Sequence, residues 1–220
     1  MSQIGIFRGA AGHIGTDESG KGDYFGPLVI AAFFCPDDQV PVLGELGVRD
    51  SKALSDNRVR TIAETLKGGY VHSVVAIGPA KYNELYAKFR NLNKLLAWGH
   101  ARVIENILGE VDCAKAVTDQ FGDERFVLQA LMEKGKQIEL VQRHRGEEDP
   151  AVAAASILAR AEFLKRLQFL SRDWAVDLHK GAGPPVEASA AEFLAKHGSA
   201  ALGQVAKLHF KITDRVLDRL

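Results

Sequence analysis

His13-Ile14-Gly15-Thr16-Asp17-Glu18-Ser19-Gly20-Lys21-Gly22, continued past Gly26-Pro27 into Val29-Ile30-Ala31-Ala32-Phe33-Phe34, decides the fold. The second run is apolar throughout and follows a proline, the pattern of a strand buried on both faces. The segment from His13 to Asp17 pairs with it across the glycine turn and ends on acids. Further along, Val71 to Ile77 is rich in β-branched residues and forms a third strand. Ala114 to Thr118, ending at Asp119, and Ile138 to Val141 supply two more.

Helical spacing fills the intervals. Ser55-Asp56 caps a helix with Val59, Ile62 and Leu66 on one side, closed by Gly68-Gly69. Patterned stretches follow over Pro79 to Phe89, about Asn93 to Leu108, Arg125 to Lys134 and Pro150 to Leu170. The tail carries the glycine loop Lys180-Gly181-Ala182-Gly183, an Ala-rich helix and the basic stretch Lys207-Leu208-His209-Phe210-Lys211. Three early strands followed by helices alternating with two more predict an α/β fold, a five-stranded mixed sheet with helices on both faces and a C-terminal helical extension. One domain over residues 1–220 is the economical division, with a core over about 13–171 and the extension over about 172–220.

The 220 residues balance 28 acidic against 28 basic side chains. A net charge of zero argues against a generic nucleic-acid coat, but leaves room for an acidic centre and a separate basic surface. No run is long enough to cross a bilayer, and the start lacks a secretory pattern. Cys35 and Cys113 have no metal-ligand spacing and read as two reduced, buried thiols of a cytoplasmic protein.

The chemistry concentrates at residues 17–22. Paired carboxylates suit a hard divalent cation, and a Gly-Lys-Gly turn lets N–H groups approach a phosphate that the lysine neutralises. Metal beside phosphate is the chemistry of phosphodiester cleavage. Read alone, the stretch also suits a polar surface turn. Gly15 to Lys21 fits the G-x-x-x-x-G-K cradle, but Gly22 replaces its hydroxyl and Asp17 and Glu18 would repel phosphates inside it. Tyr24-Phe25-Gly26-Pro27 also breaks the helix that should follow, so that reading is rejected.

Asp119 ends a strand as Asp17 does, in the region where ligands gather in open α/β sheets, although a turn or cap would also place an Asp there. Asp149 before Pro150 is a good helix cap, which does not preclude its free oxygen from reaching a metal. Glu147 and Glu148 read as solvated loop charges. Adjacent strand residues point to opposite faces, so Asp17 is the expected central ligand and Glu18 reaches the same centre only if the strand ends or twists there. His100, His179 and His209 read as packing or surface histidines, and Trp98 and Trp174 as core or interface.

Asp17-Glu18-Ser19-Gly20-Lys21-Gly22-Asp23, Gly26-Pro27, Asp50-Ser51-Lys52, Asp119-Gln120-Phe121 and Ala153-Ala154-Ala155-Ser156-Ile157-Leu158-Ala159-Arg160 occur in order. Together they resemble the type 2 ribonucleases H. The stretch Asn91 to His100 and the closing Lys207 to Lys211 are similar to the ribonuclease HIII branch. The resemblance spans His13 to Lys211. It implies a ribonuclease H-like three-layer fold and an endoribonuclease that hydrolyses the RNA strand of RNA–DNA hybrids, leaving 5′-phosphate and 3′-hydroxyl ends. It also implies Mg2+ or Mn2+ on four carboxylates, here Asp17, Glu18, Asp119 and Asp149, with Asp17 bridging two ions about 4 Å apart.

The same resemblance assigns Ser19, Gly20, Lys21 and Gly22 to the substrate backbone, with Ser51, Lys52 and Lys180 as further contacts. No obligate protein partner and no membrane role are implied. Ribonuclease HIII proteins usually carry an N-terminal platform domain. About a dozen residues precede the first strand here, so the basic tail is expected to share in gripping substrate. A ribonuclease HII senses a lone ribonucleotide through a tyrosine in its C-terminal half, whereas Tyr24, Tyr70, Tyr82 and Tyr86 all lie before residue 90. Cutting within RNA stretches is therefore expected over incision at a single ribonucleotide, the alternative activity. A hybrid-binding module without catalysis is a second alternative.

Overall fold

β-branched and aromatic runs form five strands, β1 (Gly12–Ser19), β2 (Leu28–Pro36), β3 (His72–Ile77), β4 (Lys115–Asp119) and β5 (Glu139–Arg143), ordered β3-β2-β1-β4-β5 in one sheet. The computed structural model describes residues 11–49, 51–120 and 122–218. Asp50 and Phe121, members of two quoted motifs, lie outside the described residues. β1 runs parallel to β4 and β4 parallel to β5. Thr16 stands opposite Thr118, which brings the next residues, Asp17 and Asp119, side by side.

The helices are α1 (Val40–Glu45), α2 (Asp56–Gly69), α3 (Pro79–Phe89), α4 (Leu92–Leu108), α5 (Arg125–Ala130), α6 (Pro150–Trp174), α7 (Pro184–His197) and α8 (Lys211–Leu217). Ser55 caps α2 by accepting the Arg58 N–H, and Asn91 caps α4 by accepting those of Asn93 and Lys94. These are the side-chain acceptors that orphan N–H groups of a first turn require. Among the described residues no helix is long and apolar enough to cross a membrane.

Alternation along β1 sets the layers. A Cβ on Gly15 would fall 2.1 Å from the Ala151 carbonyl carbon, so the backbone of α6 rests directly on that face of the strand. The next residue, Thr16, points the other way and bonds through Oγ1 to His100 Nδ1 of α4 at 2.8 Å. Gly99 receives Ile30 of β2 on that same helix; a Cβ there would lie 2.7 Å from Ile30 Cδ1. Helices therefore cover both faces of the sheet, as the patterning predicts.

The chain divides into two compact units. The first comprises the stretch through Glu18, Ile30–Val75 and Asn91–Ala161. It holds β4, β5, α2, α4 and the start of α6. The second comprises Ser19–Val29, Ala76–Arg90 and the stretch from Glu162 onward, with α3, α7 and α8.

Three local expectations need correction, and one short helix had no counterpart among them. α5 stops at Ala130 rather than Lys134, because the Lys134 and Gly135 N–H groups donate to the Glu105 carboxylate at 3.0 and 2.9 Å and leave the helical ladder. The short α1, begun by a proline in its first turn, has too few periodic positions to be read from sequence. Cys35 is buried, and burial pushes its thiol up to about 12, but Cys113 is only half-buried. The tail is no basic surface at its first residue: Lys207 is fully buried, and His209 stacks on Tyr86 at 4.2 Å.

Candidate active site

Parallel pairing in register places Asp17, near the end of β1, beside Asp119, the last residue of β4. Thr16 pairs with Thr118, and the acids follow directly. Both threonine hydroxyls meet His100 Nδ1, at 2.8 and 3.4 Å, so both acids, one residue on, point to the opposite, α6 face. There Asp17 accepts a hydrogen bond from Ser156 of α6, and its Oδ1 also accepts the Glu18 N–H at 2.8 Å. Burial, then the Glu18 charge, push the Asp17 carboxyl up to about 7; these two hydrogen bonds pull it down and the Asp119 charge adds to the rise. Three acids thus converge electrostatically on one strand end.

Glu18 keeps the alternation and turns towards α4. His100, fully buried, donates from Nε2 to Glu18 Oε2 at 3.2 Å while its Nδ1 is held by Thr16. The histidine that patterning assigns to packing therefore orients an acid of the site. Asp119 Oδ1 accepts the Gly146 N–H at 2.9 Å, and a Cβ on Gly146 would lie 2.8 Å from the Asp119 Cα. That contact anchors the turn before α6 beside Asp119.

Asp149 is placed differently from the other three. Its Oδ1 caps α6 by accepting the Ala151 and Val152 N–H groups at 2.9 and 3.4 Å. His13 Nε2 lies 2.8 and 3.0 Å from its two oxygens, and Arg143 donates to Oδ2 at 2.8 Å. Burial acts to raise this carboxyl, but the His13 hydrogen bond and charge and the two N–H groups outweigh it and hold it below the usual range. His13 precedes Asp17 by four strand residues, about 13 Å along β1. Asp149 thus spans His13 of β1 and Arg143, the register partner of Asp119, while it caps α6.

Ser51 is buried, with its Oγ 2.6 Å from Ser156 Oγ, so it supports the Ser156–Asp17 hydrogen bond from behind. Arg160 holds the Ser51 carbonyl and donates to Asp56 at 2.6 Å, tying α6 to the start of α2. Lys52 is exposed. In the second unit Ser19 and Lys21 are half-buried, Gly20 is buried with φ +88°, and Gly22 and Lys180 are exposed. A Cβ at Gly22 would meet nothing within 4 Å. Sequence reasoning missed His100, Ser156 and the Gly146 anchor; the run of three alanines before Ser156 was the available signal for close helix–strand approach.

All the donors at the strand ends are oxygens, which suits a hard divalent cation rather than a soft one. Among the described residues no three His, Cys, Asp or Glu side chains form a ready-made metal cage. The Asp17 carboxyl is raised first by its burial and then by the neighbouring Glu18 and Asp119 charges.

Residues 14–213 match the family model for Ribonuclease HII. The chain belongs to the ribonuclease HII family. It is a type 2 ribonuclease H, an endoribonuclease that acts on RNA–DNA hybrids. Among similar proteins, the ribonuclease HIII of Protochlamydia amoebophila is 47% identical over 208 residues, 94% of this ribonuclease H and 69% of the relative. That of Chlamydia muridarum is 45% identical over 210 residues, covering 93% and 69%. The crystal structure of Bst-RNase HIII in complex with Mn2+ superimposes with a TM-score of 0.88 at 30% identity, over 99% of this chain and 72% of that one.

Proposed function

We propose that this ribonuclease H cuts inside RNA stretches paired with DNA, with Asp17, Glu18 and Asp119 holding two divalent cations, Mg2+ or Mn2+. The observation that carries the reading is the meeting of Asp17 and Asp119 side by side on neighbouring parallel strands, with Glu18 adjoining and the Asp17 carboxyl raised to about 7. Cations seated there would generate the attacking hydroxide and stabilise the leaving 3′-oxygen, giving 5′-phosphate and 3′-hydroxyl ends. The Mn2+ complex of Bst-RNase HIII supports the choice of metal class.

The chain's own groups have separable tasks. Ser156 and the Glu18 N–H orient Asp17, His100 orients Glu18, and the Gly146 N–H holds Oδ1 of Asp119. Lys21 and N–H groups of the Gly20–Gly22 turn hold the substrate backbone, and Lys52 and Lys180 add charge to its strands. RNA is told from DNA through the 2′-hydroxyl, read by backbone groups of the glycine turn. Ser51 acts from within, through Ser156. Gel analysis of a uniformly labelled hybrid and of a duplex with one ribonucleotide, each with Mg2+ or Mn2+, tests this. Cutting confined to the hybrid is expected; rapid incision 5′ to the lone ribonucleotide would favour the junction-cutting alternative, and metal-independent binding without cleavage a catalytically silent module.

For the fourth acid we propose Glu147 as the alternative to Asp149. Gly146 is anchored on Asp119, and the next Cα is one peptide step away, about 3.8 Å. Glu147 is half-buried rather than a solvated loop charge. Glu147→Gln is expected to slow single-turnover cleavage by about a hundredfold or more, about 2.7 kcal/mol. Asp149→Asn is expected to keep the rate within about tenfold but to lower stability by about 2 kcal/mol, because His13 and Arg143 then face a neutral amide in place of a carboxylate. The opposite pattern in cleavage and thermal melting would return Asp149 to the metal site.

A further inference from the structure

We propose that Lys207 is a positioning residue for substrate binding: its buried ammonium gathers the carbonyls of the loop after Gly20-Lys21-Gly22 and so holds that turn in its phosphate-binding shape. The inference rests on the reading of this turn as a phosphate site.

Lys207 Nζ donates to Asp23 O at 2.8 Å, Gly26 O at 2.8 Å and Phe25 O at 3.4 Å, and its own N–H donates to Tyr24 O at 2.9 Å. Four consecutive carbonyls, residues 23 to 26, therefore converge on one side chain and its backbone. The ammonium lies 5.6 Å over the Tyr82 ring, and among the described residues it forms no ion pair with a carboxylate. Burial, against the opposing Asp23 charge, pushes it down to about 7. A buried lone charge is a poor device for stability, since an apolar side chain of equal length packs there at lower cost. What an apolar side chain cannot supply is the set of directed N–H donors that these carbonyls accept.

The loop it holds is shaped by close approach. Gly20 and Gly26 have φ of +88° and +80°, and a Cβ on Gly20 would fall 2.1 Å from Pro27 O. The remaining polar groups are also committed: Gly26 N–H donates to Val205 O, and Tyr24 N–H to Gly181 O, both at 2.9 Å. Asp23 Oδ1 accepts the Gly181 N–H at 2.6 Å, which clamps the loop to the turn carrying Lys180. With residues 23–26 tied down, the backbone at Gly22 faces open space. Lys207 thereby sets the mutual placement of the two turns that bear Lys21 and Lys180. Because it is buried, it does this without touching substrate.

Steady-state kinetics of the full chain on a fluorescent RNA–DNA hybrid tests the proposal, comparing Lys207→Met, Lys207→Gln and Lys21→Ala, each first checked for folding by circular dichroism. Lys207→Met is expected to raise KM by about tenfold or more with kcat changed less than about threefold. Lys207→Gln, which keeps two donors, is expected to recover part of that loss, and Lys21→Ala to raise KM as well. A folded Lys207→Met with unaltered KM, or one losing kcat alone, overturns the proposal. So does failure of both Lys207 variants to fold, since the residue would then support the second unit as a whole. If Lys21→Ala leaves KM unchanged, the phosphate-site reading itself fails; if it raises KM and Lys207→Met does not, only the role of Lys207 fails.

Discussion

Asp119→Asn is expected to lower turnover of an RNA–DNA hybrid by at least about a thousandfold, equivalent to about 4 kcal/mol of barrier, while hybrid affinity changes by only a few-fold. The substitution is nearly isosteric. An Asn carbonyl can still accept the Gly146 N–H that Asp119 Oδ1 accepts at 2.9 Å, so the turn before α6 should keep its place. What disappears is the negative charge beside Asp17, and with it a proposed cation ligand. Substrate grip, assigned to Lys21, Lys52, Lys180 and the glycine turn, does not pass through this group. Single-turnover cleavage with saturating Mn2+ and a filter-binding measurement without turnover separate the two quantities. A variant cutting at near-normal rate would remove Asp119 from the mechanism.

The second large effect is a pH dependence set by Asp17. Its carboxyl stands near 7, raised first by burial and next by Glu18, so below that pH the folded, metal-free protein holds a proton on the group proposed to bind the cation. Cation affinity should therefore fall by about tenfold for each pH unit below 7 and level off above it, as binding that displaces one proton requires. Titration calorimetry with Mn2+ alone, from pH 5.5 to 8.5, reads this directly; a flat profile would mean that Asp17 is ionised throughout or is no ligand.

Stability should move in the opposite sense. The folded-state value lies above the unfolded value of 3.8, so the contribution of Asp17 is fully present below about 4 and is lost as pH rises through about 7. Asp149, held low by His13 and the α6 N–H groups, acts in the other direction and only as pH falls below the ordinary carboxylate range. Between pH 4 and 7 the metal-free melting temperature should thus decline in the parent protein. Asp17→Asn should flatten that decline and melt higher at pH 8, although it abolishes cleavage. A parallel decline in both proteins would remove Asp17 as its source.

Most strands and helices were legible because each has its own period. The all-apolar Leu28–Pro36 strand, the capped α2 and α4, and the β-branched His72–Ile77 fall within a few residues of their expected bounds. α5 is shorter than its pattern because a distant carboxylate, Glu105, takes the N–H groups its last turn needed. The site divides in the same way. Asp17 and Asp119 could be chosen as acids ending apolar runs, and alternation already warned that Glu18 points away from Asp17. The role of His100 could not be chosen, since a buried histidine on an apolar helix face looks the same whether or not a catalytic acid lies against it.

Residues 12 to 36 by themselves determined a strand, a glycine turn, a second strand and two acids at the mouth of the first, because side-chain period and backbone freedom are local properties. Only the tertiary structure decided which acids meet. Seating α6 on Gly15 sends Asp149 to His13, 136 residues away in sequence, and brings Ser156 to Asp17. Only the tertiary structure, too, turned Lys207 from a surface cation of a basic tail into a buried one. Such pairings follow from where whole elements come to rest against one another, and no spacing within a single element encodes that.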